Sequence, residues 1–341
     1  MALTWTQSSD IPLNQGVNDL TYTNGTYILV SNIPSGNLGT IALSPIATSN
    51  DLIEWTVQKR INPNLKNIRL LTIDTITYYI GTEQNSVVIY STEDNISFTR
   101  VRKFHNFVTD TAKSRVRKVN TTYIITLLGG FITYNDAGAW NLVMLAEDYK
   151  DYYVLDATYH DSIQLLLFDK TQYTLASYTN SELTYTPYPF INAIDTYHGF
   201  YGLVSNQDQL LILGSHYQRP CVLIRLSNGN WVIKQIQMLE NIYERYEYSL
   251  RDGIYINNTW IFVGIKIKSN GYGPLSNPDR ILLTEDSLIY TNVGNVTLDS
   301  TIEPNPGSSV FGLDRIYYLN DKLITLGTGY PNNDKFLLIS G

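Results

Sequence analysis

The sequence predicts an all-β chain assembled from repeated four-stranded units. Three observations carry that expectation: a composition weighted to strand formers, a hairpin that recurs along the whole chain, and a second turn that follows most copies at a similar spacing. Of the 341 residues, 27 are Tyr, 43% are hydrophobic and only 16% are charged. Ile, Leu, Thr and Val are spread throughout, which suits pleated, half-buried surfaces. Such a chain can bury a sizeable core.

The hairpin comes first. LTYTNGTYILVS turns at Asn24-Gly25, a pair that readily supplies the positive φ angles of a tight hairpin. Further turns are expected at Asp74-Thr75, Asn120-Thr121, His160-Asp161, Asn206-Gln207, Asn257-Asn258 and Asn320-Asp321. Each is followed by an apolar run, in order TYYIGT, TYIITLL, SIQLLLF, QLLILGS, TWIFVG and KLITLG. Runs of this kind, bounded by turns, read as strands buried on both faces.

Roughly 25 to 30 residues after most hairpins a further apolar strand reaches a polar turn and then an aromatic. Close copies are Ser49-Asn50-Asp51 leading to Trp55, Ser91 with Asp94 leading to Phe98, Ala146 with Asp148 leading to Tyr152, and Thr284 with Asp286 leading to Tyr290. Looser ones run from Ser177 to Tyr185 and from Ser227 to Trp231. An Asp or Asn at such a turn holds its own backbone, and the aromatic packs between sheets. The chain ends complete the count: FLLISG matches a third strand and the opening LTWTQ matches WTVQ after Trp55, so that Trp5 becomes the seventh aromatic.

The mean period is about 49 residues, which fits a β-propeller and is too long for helical repeats. The expectation is one domain over residues 1–341, a seven-bladed propeller of four-stranded blades whose ring is closed by the N-terminal strand pairing in the last blade. Six or eight blades are alternatives, as is a β-sandwich followed by a second β domain.

Departures from the period mark candidate binding segments. IKIKSNGYGPLSNPDR is expected as an insertion in the sixth blade that presents Tyr272 among Gly271, Gly273 and Pro274, and GNVTLDSTIEPNPGSSV as a loop before the last hairpin. Between the second and third blades, Arg100, Arg102, Lys103, Lys113, Arg115, Arg117 and Lys118 gather positive charge, with His105 and Phe107 interleaved. The cluster is a candidate dock for an acidic partner or an anionic glycan; otherwise SRVRKVN is a solvated strand with its charges facing outward.

The formal net charge of -7 argues against a nucleic-acid partner, since neutralising phosphates takes an excess of Lys and Arg. Cys221 is the single cysteine and reads as a core thiol, so no internal disulfide forms. MALTWTQSSD lacks a basic and an apolar region of export type, and no apolar run reaches membrane-spanning length. Folding in a cytoplasm and no membrane insertion are expected.

Chemistry is sparsely signalled. Glu244 and Glu247 in YERYEY are a carboxylate pair of the sort glycosidases use, and also ordinary surface residues. His160, His198 and His216 lack a tight metal-ligand spacing. Neither a P-loop, a dinucleotide glycine fingerprint nor a nucleophile elbow is present. No catalytic residue, metal or cofactor is expected.

YTNGTYILVS, IATSNDLIEWTVQ and LTWTQ together resemble propellers built on degenerate Asp-box, or sialidase-type, repeats, and in particular phage and bacterial proteins with such blades. The first blade carries the resemblance most fully; later copies lose the Gly and replace Trp by Phe or Tyr. Sialidases of the wider group carry an F-R-I-P type motif, to which Arg219-Pro220 is a poor match. The resemblance implies a non-enzymatic virion structural protein, tail- or capsid-associated, that binds other virion proteins, a host surface receptor or a glycan. It leaves a carbohydrate-binding or glycoside-hydrolase propeller and a bacterial assembly factor as alternatives.

Overall fold

The computed structural model describes residues 5–8, 17–31, 46–58, 65–109, 113–135, 137–187, 198–216, 219–226, 228–235, 246–268, 282–286, 289–292, 310–330 and 335–340. These residues are nearly all strand and turn.

The N-terminal strand β1 is Trp5–Ser8. The first four-stranded sheet is β2 (Val17–Thr23), β3 (Thr26–Ser31), β4 (Ile46–Ser49) and β5 (Thr56–Gln58). The second is β6 (Lys66–Ile73), β7 (Ile76–Glu83), β8 (Ser86–Thr92) and β9 (Thr99–His105). The third is β10 (Val116–Val119), β11 (Thr122–Thr126), β12 (Gly130–Tyr134) and β13 (Trp140–Met144). The fourth is β14 (Tyr153–His160), β15 (Ser162–Phe168), β16 (Tyr173–Thr179) and β17 (Glu182–Pro187). The fifth is β18 (His198–Ser205), β19 (Leu210–His216), β20 (Arg219–Arg225) and β21 (Trp231–Gln235). Each is an antiparallel meander in chain order.

The remaining strands are β22 (Tyr246–Ile256), β23 (Thr259–Lys268), β24 (Leu282–Asp286), β25 (Ile289–Asn292), β26 (Val310–Leu319), β27 (Lys322–Tyr330) and β28 (Lys335–Ser340). With β1 they form an eight-stranded sheet in which β1 lies beside β28. β23 joins its two halves: Thr259–Val263 pairs with β24, while Ile265–Ile267 pairs with β26. The expected IKIK insertion is therefore strand at its start, because alternating Ile and Lys extends the ladder. Tyr272, and most of GNVTLDSTIEPNPGSSV, lie outside the described residues.

The expected hairpin turns are where the strands reverse. Asn24 and Gly25, Asn257 and Asn258, and Asn320 and Asp321 all take positive φ, as do Asp74, Asn120 and Asp161. Asn206 closes its turn differently, its Oδ1 accepting from the backbone N–H of Asp208 at 2.9 Å and of Gln209 at 2.7 Å. Asn and Asp tolerate the left-handed region, which is why they occupy these places.

The chain divides into two compact units, one of Met1–Gln7, Thr158–Gln164 and Pro187–Gly341, the other of Ser8–Ala157 and Leu165–Thr186. Within each, apolar faces of consecutive sheets pack together. In the second unit Ile28, Val30 and Ile46 meet Leu70, Tyr79 and Val88, and Leu71, Ile80 and Ile89 meet Ile125, Ile132 and Trp140. In the first, Leu211, Leu213 and Val222 meet Leu250, Trp260 and Phe262. Each fully buried side chain of this size contributes roughly 1.5–3 kcal/mol. Cys221 is among the fully buried residues, and burial pushes its thiol up to about 12.

Candidate functional site

The basic cluster is split by the fold. Arg100, Arg102 and Lys103 lie on β9, the fourth strand of its sheet, while Arg117 and Lys118 lie on β10, the first strand of the next, with Arg115 immediately before it. What reads as a connector is two strands, and the Arg-Val-Arg-Lys run at 100–103 recurs at 115–118, its Val suited to a pleated chain.

Arg115 and Arg117 are not outward-facing charges. Both reach Asp156 on β14: Arg115 Nη1 donates to Oδ2 at 3.2 Å, Arg117 Nε to Oδ1 at 2.7 Å and Arg117 Nη2 to Oδ2 at 2.9 Å. The carboxylate is fully buried and also accepts from the Ala157 N–H at 3.0 Å. Arg117 makes the forked, two-bond pairing that guanidinium geometry suits. Removing Asp156 would leave guanidinium charge in a poorly solvated place, the situation in which breaking a buried pair costs about 3–5 kcal/mol.

Asp156 belongs to a series that the sequence reading did not single out. Five residues before Asn24, Asp161 and Asn257 stand Asp19, Asp156 and Asp252, all buried. Asp19 Oδ1 accepts from the following Leu20 N–H at 3.1 Å, and its Oδ2 takes the Leu70 N–H of the neighbouring first strand β6 at 3.0 Å. Asp252 repeats the arrangement, accepting from Gly253 N–H at 2.8 Å and from Ile316 N–H on β26 at 3.3 Å. At the matching place on β6, fully buried Arg69 donates to the carbonyls of Ser114 at 2.7 Å and Asn18 at 3.3 Å. Thr21 and Thr72 add a hydroxyl bond at 2.9 Å between β2 and β6. The pairing ladders shift register beside Asp19, Arg69 and Asp252, and a bulge frees a backbone group and aims the side chain sideways. The legible signal was an ionisable residue at a fixed distance before a turn.

The other candidates fall apart from one another. Lys118 Nζ lies 5.7 Å from the Tyr123 ring centroid and Lys113 Nζ 3.5 Å from that of Tyr153. Arg102 lies over Phe104 at 5.7 Å. Glu244 is outside the described residues, and Glu247 sits opposite Ile267. His198 and His216 are cross-strand partners on β18 and β19, while His160 Nδ1 lies 3.5 Å from Asp161 Oδ2. Among the described residues no cluster of three His, Cys, Asp or Glu side chains could hold a metal ion.

The polar turns are built by carboxylates. Asp51 Oδ1 accepts from Ile53 N–H at 2.8 Å, Glu54 N–H at 2.9 Å and the Ser49 hydroxyl at 3.0 Å. Asp94 does the same with Ile96 at 2.8 Å, Ser97 at 2.7 Å and Thr92 at 3.0 Å. The hydroxyl partner is thus Thr92 rather than Ser91, since the turn needs it two residues before the acid. At Ala146, which has no side-chain oxygen, a short 3-10 turn over Glu147–Tyr149 takes over. Ser177 lies within β16, and that hairpin turns instead at Asn180 and Ser181, both of positive φ.

No protein-family model matches the sequence, and no curated protein does. Solved structures similar to it include virginiamycin B lyase from Staphylococcus aureus, in a catalytically inactive form with quinupristin, at 11% identity and a TM-score of 0.56 over 99% of both chains. YCF48 from Cyanidioschyzon merolae matches at 11% identity and 0.58, covering 99% of this chain and 98% of that one. The Neurospora crassa Pan2 WD40 domain matches at 10% identity and 0.55, covering 100% and 96%. All are β-propellers, and likeness at this identity shows the fold: the chain has that of a β-propeller. Function has to be argued from the chain's own residues.

Proposed function

We propose that this chain is a non-catalytic, seven-bladed propeller scaffold, a tail- or capsid-associated structural component of a phage virion that binds another virion protein or a host surface receptor. The observation that carries the scaffold reading is the use made of ionisable groups on or immediately before first strands. Asp19, Arg69, Arg115, Arg117, Asp156 and Asp252 are engaged in bonds between sheets, so the groups best placed for chemistry are spent on rigidity. A scaffold that presents preformed loops and edges loses little ordering entropy on contact.

Seven blades are supported by the strand order. Five meanders of four, then β22–β25, then β26–β28 with β1, account for the 28 strands among the described residues, and β1 beside β28 supports closure by the N-terminal strand. The virion assignment draws on the resemblance to degenerate Asp-box repeats, which the turns at Asp51 and Asp94 support. Mass spectrometry of purified phage particles tests it: the chain is expected among the virion proteins, and its absence from intact particles overturns the assignment.

Exposed tyrosines favour a second, glycan-binding reading. Tyr159, Tyr255 and Tyr318 are 43%, 36% and 42% exposed, each at the same step of a first strand, and the hydroxyls of Tyr255 and Tyr318 are held by Asn258 at 3.5 Å and Asp321 at 3.0 Å. That reading requires binding to neutral glycans that Tyr255→Ala and Tyr318→Ala abolish.

A further inference from the structure

β9 is the last strand of its sheet. Among the described residues it pairs with β8 on one side and with no strand on the other, so it presents a row of backbone N–H and C=O groups to any extended chain that fits. Thr99, Arg100, Val101, Arg102 and His105 are exposed and Lys103 is half-buried. Its positive charge is uncompensated: among the described residues Arg100, Arg102 and Lys103 have no carboxylate within ion-pair distance. Arg115 and Arg117, a few residues along the chain, are both paired with Asp156. A sheet edge that lacks a strand partner and carries cations without a carboxylate partner among the described residues is thus set into a protein of net charge -7.

We propose that β9 is the docking edge for an extended acidic segment of a partner protein, added to the second sheet as a fifth strand. Charge selects the occupant. A second copy of β9 would set Arg and Lys against Arg and Lys, and like charges directly opposite destabilise a strand pair. A strand with Asp or Glu at alternate positions carries its acids on one face, where they meet Lys103 or, one residue over, Arg102 favourably, and main-chain bonds supply the rest, as in strand addition generally. The ladder with β8 shifts register at Val101 and runs regularly from Arg102 to His105. The added strand therefore pairs along those four residues, and Arg100 acts through its charge. The inference rests on the reading of the chain as a binding scaffold and names the chemistry of its protein partner.

The test uses the full chain and a fluorescein-labelled decapeptide of alternating Glu and Val, followed by anisotropy. Saturable binding is expected, weakening at least about tenfold in the Arg100→Glu/Arg102→Glu variant, whose melting temperature should stay at the wild-type value because both side chains are exposed. Lys118→Glu, on another strand, should bind as the wild type does. The same peptide N-methylated at alternate residues should lose binding, since its donors are blocked. No binding at about 1 mM peptide, full binding by the charge-reversed variant, equal binding of the N-methylated peptide, or tighter binding of a heparin hexasaccharide would each overturn the proposal. Failure here leaves the chain's presence in particles untouched, and absence from particles leaves peptide binding untouched, so the two readings fail separately.

Discussion

Asp94 shows how one exposed carboxylate organises a turn. It receives two backbone N–H groups and a hydroxyl on one oxygen, and these bonds hold its carboxyl well below the usual aspartate range, the Ser97 and Ile96 amides contributing most. Asp51 is lowered by the corresponding amides of Glu54 and Ile53. A folded-state pKa below the unfolded one means stability that is present above the unfolded pKa, roughly 4, and is lost as pH falls through the folded value. Asp94→Asn keeps the turn-forming oxygen but not the charge. It should lower the melting temperature at neutral pH, by a margin that narrows steadily as thermal scans move from about pH 5 toward pH 2. A margin independent of pH would show that charge plays no part in the turn. Cys221 lies at the opposite extreme, legible from sequence as a core thiol because a small apolar side chain between strand formers has few other places to go.

At the scale of the element, two glycines separate turn chemistry from packing. Gly25 has φ +79 and nothing within 4 Å of where a Cβ would stand, so its role is conformational. A Cβ on Gly264 would stand 2.3 Å from the Ser249 carbonyl oxygen and 3.1 Å from the Leu250 Cα, so β22 and β23 would have to part beside the bulge. Gly25→Ala should cost about 1 kcal/mol, the penalty of a left-handed residue. Gly264→Ala should cost about 2–3 kcal/mol, since backbone has to move. Urea midpoints of the two variants decide the matter, and equal losses would remove the packing argument. The hairpins were legible because Asn, Asp and Gly announce positive φ locally. Bulges were not, because an extra residue in a ladder leaves no mark on composition.

On the scale of the whole molecule, β1 gives β28 a partner drawn from the far end of the chain. Deleting residues 1–8 should expose the edge of β28, lower the melting temperature and produce concentration-dependent association, because an open apolar edge templates pairing. Sedimentation of the truncated chain as an unchanged monomer with wild-type melting would mean that β1 adds nothing. LTWTQ was recognisable as a strand by its likeness to WTVQ, so this long-range pairing could be read from internal repetition alone.

The amino-acid sequence by itself determined the strands, their turns and their repetition, since each follows from the local conformational preferences of a few neighbouring residues. Only the tertiary structure decided which charges are spent and which remain free. Arg117 and Arg102 look alike along the chain, yet one is forked onto buried Asp156 and the other stands exposed on β9. The difference arises because the partner of a charge is set by which strands meet across sheets, in this case 39 residues apart, and no local pattern encodes that distance.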